Sequence, residues 1–299
     1  MKTKILVFVL LIWFASAAFA QQDYAFKVLV MKGKNELKAG ESWQLIKVGT
    51  TLKGTDELKL SENSYLGLVH SSGKPLELKL AGKYKVDALA TKVSGGSSVL
   101  NKYAEFILSS NTTNNNKLTA TGAVHRGPEV IELYLPKKEN PVVYNNEIIV
   151  NWDPTKIPGP YQVTFSSMFG DQLEIKDTKE SQVKVNLSGP NFLNEDNILV
   201  VVRSKSDPTK ISEEYTLKKL SKADKTRINN LLKEISNPLE EKTAFNQYLM
   251  AGFYEENNLI IDAITAYREA IGLAPDVTSY QEDYATFLIR HGLKEVKKK

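Results

Sequence analysis

The residues whose types and spacing come nearest to a reactive constellation are His125, Arg126 and Glu129, within Thr121-Gly-Ala-Val-His-Arg-Gly-Pro-Glu. A histidine there could act as a general base if Glu129 oriented its ring, with Arg126 holding an anion beside it. The chemistry would be hydrolysis or group transfer on a polymer. No nucleophile motif accompanies the three residues, and Gly127-Pro128 reads as a turn into a strand from Val130 to Leu135. The chain is therefore read as non-enzymatic, with the hydrolase or transferase as the alternative.

Composition removes much other chemistry. None of the 299 residues is cysteine, which excludes disulfides, thiolate zinc sites, iron–sulfur clusters, a thiol nucleophile and the acylated cysteine of a bacterial lipoprotein. The three histidines, His70, His125 and His291, are too far apart in sequence to suggest a metal site. No cofactor and no metal are expected. Acidic and basic residues are interspersed, so no nucleic-acid stripe is present. The basic run Lys294 and Lys297 to Lys299 reads as a solvated end.

The elements that would position any site begin after residue 20. Residues 1 to 20 give a basic start, an apolar run from Ile5 to Phe14 and the small residues Ala18 and Ala20, the pattern of a secretory signal peptide cleaved after Ala20. The run is shorter than the about 20 apolar residues of a membrane anchor. Of the formal net charge of +4, Lys2 and Lys4 contribute two. The mature chain is expected to be nearly neutral, free of integral membrane segments, and periplasmic or extracellular.

From residue 21 to 92, apolar and polar residues alternate in short runs: from Phe26 to Val30, Glu57 to Leu60, Tyr65 to Val69 and Leu76 to Leu80. Glycine-, serine- and asparagine-rich turns lie between them. Period two predicts a small antiparallel β domain. Trp43 is expected to anchor its core, the alternative being a platform for a sugar ring. His70 reads as a hydrogen-bonded surface histidine. The order Gly33, Trp43, Val48-Gly49, Leu52, Asp56-Glu57-Leu58, Ser64-Tyr65-Leu66-Gly67-Leu68, Gly73 and Leu76-Glu77-Leu78 resembles the FecR-like domain of bacterial envelope proteins. That resemblance covers about a quarter of the chain and implies an extracytoplasmic, non-enzymatic β module. A sigma-factor regulator of that family would carry a spanning helix before this domain, where this chain has a cleavable signal.

Residues 93 to 139 read as a linker with a short helix and a strand. Ser94-Gly-Gly-Ser-Ser breaks the pattern, and Val99 to Leu108 places Val99, Tyr103, Phe106 and Ile107 on one helical face. Ser109 to Asn116 reads as a polar loop. From 140 to 218, seven strand-like runs are separated by Asp153-Pro, Pro158-Gly-Pro, Gly170-Asp, Gly189-Pro and Asp207-Pro. This spacing fits an immunoglobulin-like or fibronectin type III-like sandwich, with Trp152 as the buried tryptophan of an early strand.

From 219 to 299 the periodicity becomes helical. Ile228, Leu231, Leu232 and Ile235 form one stripe. In the unit from Ala244 to Val277, Met250, Ala251, Tyr254, Ala263, Tyr267 and Ala270 recur, with Pro275 closing it. That spacing resembles a tetratricopeptide repeat. Tyr284, Ala285 and Leu288 restart the phase. Gln247 departs from the repeat, which prefers a large apolar residue there. Arrays of this kind need about three repeats to stand alone, so this end should pack on a β module or on another copy. The family's groove binds proteins or peptides. Gln247, Tyr254, Tyr280 and Tyr284 are accordingly the candidate partner-binding residues, against the alternative that the tyrosines are core.

The fold class is thus multidomain β plus α: a small β domain, a β-sandwich and helical hairpins. The expected function is that of an exported, non-enzymatic envelope scaffold or adaptor binding envelope proteins through its helical and β modules. A glycan-binding protein is the remaining alternative.

Overall fold

A computed structural model describes residues 24–93, 96–114, 130–136, 141–235, 239 and 241–294. The chain is mixed β plus α. Among the described residues no helix is long and apolar enough to cross a membrane.

The first module holds two four-stranded sheets. One has the order β4 (Thr51–Leu52), β1 (Phe26–Lys32), β6 (Tyr65–His70), β7 (Pro75–Leu78). The other has β3 (Ser42–Leu45), β2 (Asn35–Ala39), β5 (Glu57–Leu60), β8 (Gly82–Lys85), followed by the short helix α1 (Val86–Thr91). Phe26, Val28, Leu58, Leu66 and Leu68 pack between the sheets. Strand β6 is buried along both faces: Leu66 and Leu68 face that core, while Tyr65 and Val69 join a second core made with the helices. The register of β1 shifts between Val28 and Val30, and Leu29 and Val30 then belong to the helical core. The Gly73 turn, at φ 86°, lies against the Ser97 carbonyl so closely that any Cβ would collide with it.

Trp43 does not enter this core. It is half-buried on the exposed edge strand β3, with the Lys59 and Lys83 ammonium groups 5.8 and 5.7 Å from its ring centroid. The interior is filled by leucine, valine and phenylalanine, and the indole lies outside it between lysines.

Helix α2 (Ser98–Asn114) is longer than the expected Val99–Leu108, and part of the expected polar loop is its last turns. Those turns are held from outside: the Asn111 amide donates to the Tyr248 hydroxyl and Arg290 donates to the Ser110 carbonyl. Its buried residues are Leu100, Tyr103, Ala104 and Ile107, with Val99 and Phe106 only partly covered.

In the second module all seven runs form strands: β9 (Val142–Val143), β10 (Glu147–Asn151), β11 (Tyr161–Ser166), β12 (Gln172–Thr178), β13 (Gln182–Asn186), β14 (Asn197–Ser204) and β15 (Tyr215–Lys219). The sheet β12-β11-β14-β15-β9 packs on the pair β10-β13. Trp152 is 1% exposed, edge-on to Tyr161. The segment from Val130 to Leu135 makes isolated bridges, Leu133 to Trp152 and Ile131 to Ser212, in place of a full strand. Ile131, Leu133 and Leu135 are nevertheless buried in this core.

Four helices follow: α3 (Lys222–Ile235), α4 (Ala244–Glu256), α5 (Ile260–Leu273) and α6 (Thr278–Arg290). Thr243 caps α4 by accepting the Asn246 N–H. Ala251, Ala263 and Ala270 are fully buried, which allows α4 and α5 close approach. Helix α6 ends at His291 and Gly292, the latter at φ 65°.

Candidate functional site

The four candidate partner-binding residues lie on the helices, and three of them are spent inside the chain. Tyr280 is fully buried and its hydroxyl lies 2.8 Å from that of Tyr65 on β6. The Asn151 amide of β10 donates to the Tyr284 hydroxyl at 2.7 Å, and Tyr254 reaches toward Asn145 at 3.4 Å. Burial raises all three hydroxyl pKa values above the ordinary tyrosine range. The tyrosine face of the helices is therefore a two-sided joint, with Tyr280 bonded to the first module and Tyr254 and Tyr284 facing the second.

Further contacts secure both sides. Phe245 of α4 lies on Gly67, where a Cβ would stand 2.8 Å from the ring, and Ser279 donates to the Met31 carbonyl. Toward the second module, Thr265 accepts the Ile149 N–H at 2.9 Å, and Asp262 accepts the N–H groups of Tyr144 and Asn145 at 2.9 and 2.8 Å. Asp262 is fully buried, and desolvation pushes its carboxyl up to about 6 against the opposing pull of those N–H groups. The buried Glu255 holds Arg290 and His291, which closes α6 onto α4.

Gln247 keeps some exposure and, with Tyr254, lines a cleft of about 320 Å³ between the β9–β10 turn and helices α4 and α5. Lys242 and Glu269 pair within it at 2.9 Å, and Lys184 reaches Glu147 and Glu269 at 2.8 and 3.6 Å. Amides and paired charges suit hydrogen bonding to a polar chain. Both Asp262 oxygens are already committed to backbone, so the carboxylate serves the joint.

A larger groove, about 690 Å³, lies elsewhere and was not foreseen. Its floor is the consecutive run Lys74 to Leu80, and its walls are Tyr84, Leu89 and Lys92 on one side and Glu241, Thr243 and Asn246 on the other. Residues of both pleat phases line it, so the groove follows the edge of β7. That edge is unpaired: β7 ends its sheet, and among the described residues the backbone of Leu76 to Leu78 pairs only with β6. Glu77 accepts the Phe245 N–H at the start of α4. Its burial raises the carboxyl pKa, but Lys79, Thr243 and that N–H outweigh this and hold it low. Pro75, which has no N–H, was the available sequence signal for an edge strand.

The outer face of the other sheet, around Trp43, also carries Lys38, Lys59, Lys83 and Lys85 against Glu36 and Glu57 by pairing register. His70 bonds Ser72 at 2.8 Å and leans edge-on to Phe26. His125, Arg126 and Glu129 lie outside the described residues.

No protein-family model matches this chain, and no curated protein is significantly similar to it.

Proposed function

We propose that this chain is an exported, non-enzymatic scaffold or adaptor of a bacterial envelope, released by cleavage after Ala20 to act in the periplasm or outside the cell. The first module is read as FecR-like, the second as an immunoglobulin-like or fibronectin type III-like sandwich, and α4 to α6 as tetratricopeptide-type hairpins. The single observation that carries the adaptor reading is the two-sided joint, in which Tyr280, Tyr284 and Asp262 fix one β module against the other through the helices. Buried polar groups spent on orientation make sense in a molecule that presents separate surfaces at a set spacing, where linked sites gain affinity from effective concentration.

The test is crosslinking and affinity capture of the intact mature chain from its native envelope, with crosslinked positions read by mass spectrometry. Reproducible protein partners, attached at exposed positions on both β modules, are expected. An intact chain that captures no protein reproducibly would sink the adaptor reading. Removing the helices from Ser221 onward is a poor control, because it strips the cover from Leu29, Val30, Tyr65 and Val69.

A second reading is favoured by the half-exposed Trp43 between Lys59 and Lys83: an acidic glycan could stack on the indole while the lysines meet its charges. Titration of a Trp152→Phe variant with polygalacturonate should then shift the Trp43 emission. Unchanged emission would remove this reading.

A further inference from the structure

We infer that the groove along β7 binds an extended segment of a partner protein, in which apolar residues alternate with acidic ones, as an added strand of the first module's sheet. The inference rests on the adaptor reading and names the chemistry of one of its partners. Three observations carry it. The outer edge of β7 is unpaired from Leu76 to Leu78 among the described residues, so a row of N–H and C=O groups is open to a strand laid beside it. Pro75 has no N–H to offer and Leu76 turns its backbone groups toward Leu68 of β6, so the first N–H on the open edge is that of Glu77.

The two walls differ in chemistry, and a strand's side chains alternate between them. Leu76 and Leu78 point toward the first module's core, where Tyr84 and Leu89 form the neighbouring wall. Glu77 points the other way, to the start of α4, where Thr243 and Asn246 stand. An added strand would therefore set apolar residues over Tyr84 and Leu89 and polar residues toward α4. Leu80, 76% exposed at one end of the groove, extends the apolar side.

Charge decides the polar residues. Lys74 and Lys92 line the groove without an acidic partner among the described residues, while Glu77 is already matched by Lys79 at 2.6 Å and by the α4 N-terminus. Glu241 also lines the groove, on the α4 side, so Lys74, Lys79 and Lys92 stand against Glu77 and Glu241 and one positive charge remains in excess. Acidic residues of the incoming strand are therefore favoured beside Lys74 and Lys92 and not beside Glu241.

The experiment selects a displayed library of random peptides of about ten residues, enough to span a strand, on the intact mature chain. Enriched sequences should alternate apolar with acidic residues and compete with one another. Lys92→Glu and Leu80→Asp, both at exposed positions, should each weaken binding about ten-fold through like-charge repulsion. Methylating backbone nitrogens at alternate positions should abolish binding in one phase and spare it in the other, because only every second N–H of an added strand faces β7. The inference is overturned if the library enriches nothing, if enriched peptides lack the alternation, or if binding ignores the two substitutions and N-methylation. It is also overturned if light scattering finds that a second copy of the chain fills the edge. Failure here with successful capture of envelope partners would leave the adaptor reading standing and remove only the β7 site.

Discussion

The phenol oxygens of Tyr65 and Tyr280 lie 2.8 Å apart, joining β6 to α6 across 215 residues of sequence, with the rings edge-on at 6.2 Å. Burial raises both hydroxyl pKa values far above their ordinary range, so the pair stays neutral and bonded at any working pH.

The two halves of that pair are not equivalent. Glu77 stands beside Tyr65 as a second partner, so Tyr280→Phe is expected to cost about 1 kcal/mol, whereas Tyr65→Phe strands the Tyr280 hydroxyl and should cost about 1–3 kcal/mol. Urea unfolding of both variants and the double variant tests this. Equal costs with no coupling would contradict it.

Asp262 makes stability depend on pH in a defined direction. Its folded carboxyl is pushed up to about 6 from 3.8, so between those values the native state holds more protons than the unfolded chain, and stability falls as pH rises through that window. Its share is on the order of 2–3 kcal/mol. Asp283, also raised to about 6 by burial, adds in the same direction. Denaturant melts at pH 4.5 and 7 should therefore show a smaller difference for Asp262→Asn than for the parent. Lys242, Glu269 and Glu147 line the adjoining cleft in both proteins. An unchanged difference would show that Asp262 does not titrate there.

Gly67→Ala should destabilise by about 1–3 kcal/mol through overpacking, because its Cβ would meet the buried Phe245 ring at 2.8 Å. Phe245→Leu made with it should recover part of the loss. A neutral Gly67→Ala in thermal melts would place the ring elsewhere.

Trp43 and Trp152 should differ in quenching. With Lys59 and Lys83 over its ring, Trp43 is expected to be quenched by iodide far more than by caesium, and Trp152, 1% exposed, by neither. Single-tryptophan variants of the mature chain give the comparison, and equal quenching by the two ions would rule out the lysine cage.

Strands of the second module and helices α4 to α6 were legible because breakers such as Pro158-Gly-Pro and the spacing of Ala251, Ala263 and Ala270 are local signals. Trp43 misled because a large aromatic residue in a small domain reads as core, while Phe26 and the leucines already fill it. The last turns of α2 were invisible because Arg290 and Tyr248, far along the chain, hold them. Of the candidate residues, Gln247 and Tyr254 do share a cleft, whereas Tyr280 and Tyr284 proved to be joint residues. Asp262 had a signal, a lone carboxylate within Ile260-Ile-Asp-Ala-Ile, and its meaning depended on backbone N–H groups more than a hundred residues away. The β7 groove needs three separate segments to exist, so only Pro75 hinted at it.

The shared core of β1, β6, α2 and the last helices sets an order of events during synthesis. The sheets of the first module can close on each other early, but the core that Leu29, Val30, Tyr65 and Val69 share with α2 is incomplete until α4 and α6 have been made. At ribosomal speeds of about 5–20 residues per second, adding the intervening about 200 residues takes on the order of 10–40 seconds. For that interval the nascent chain presents part of an apolar sheet face to whatever surrounds it, and a holding chaperone has a defined place to bind.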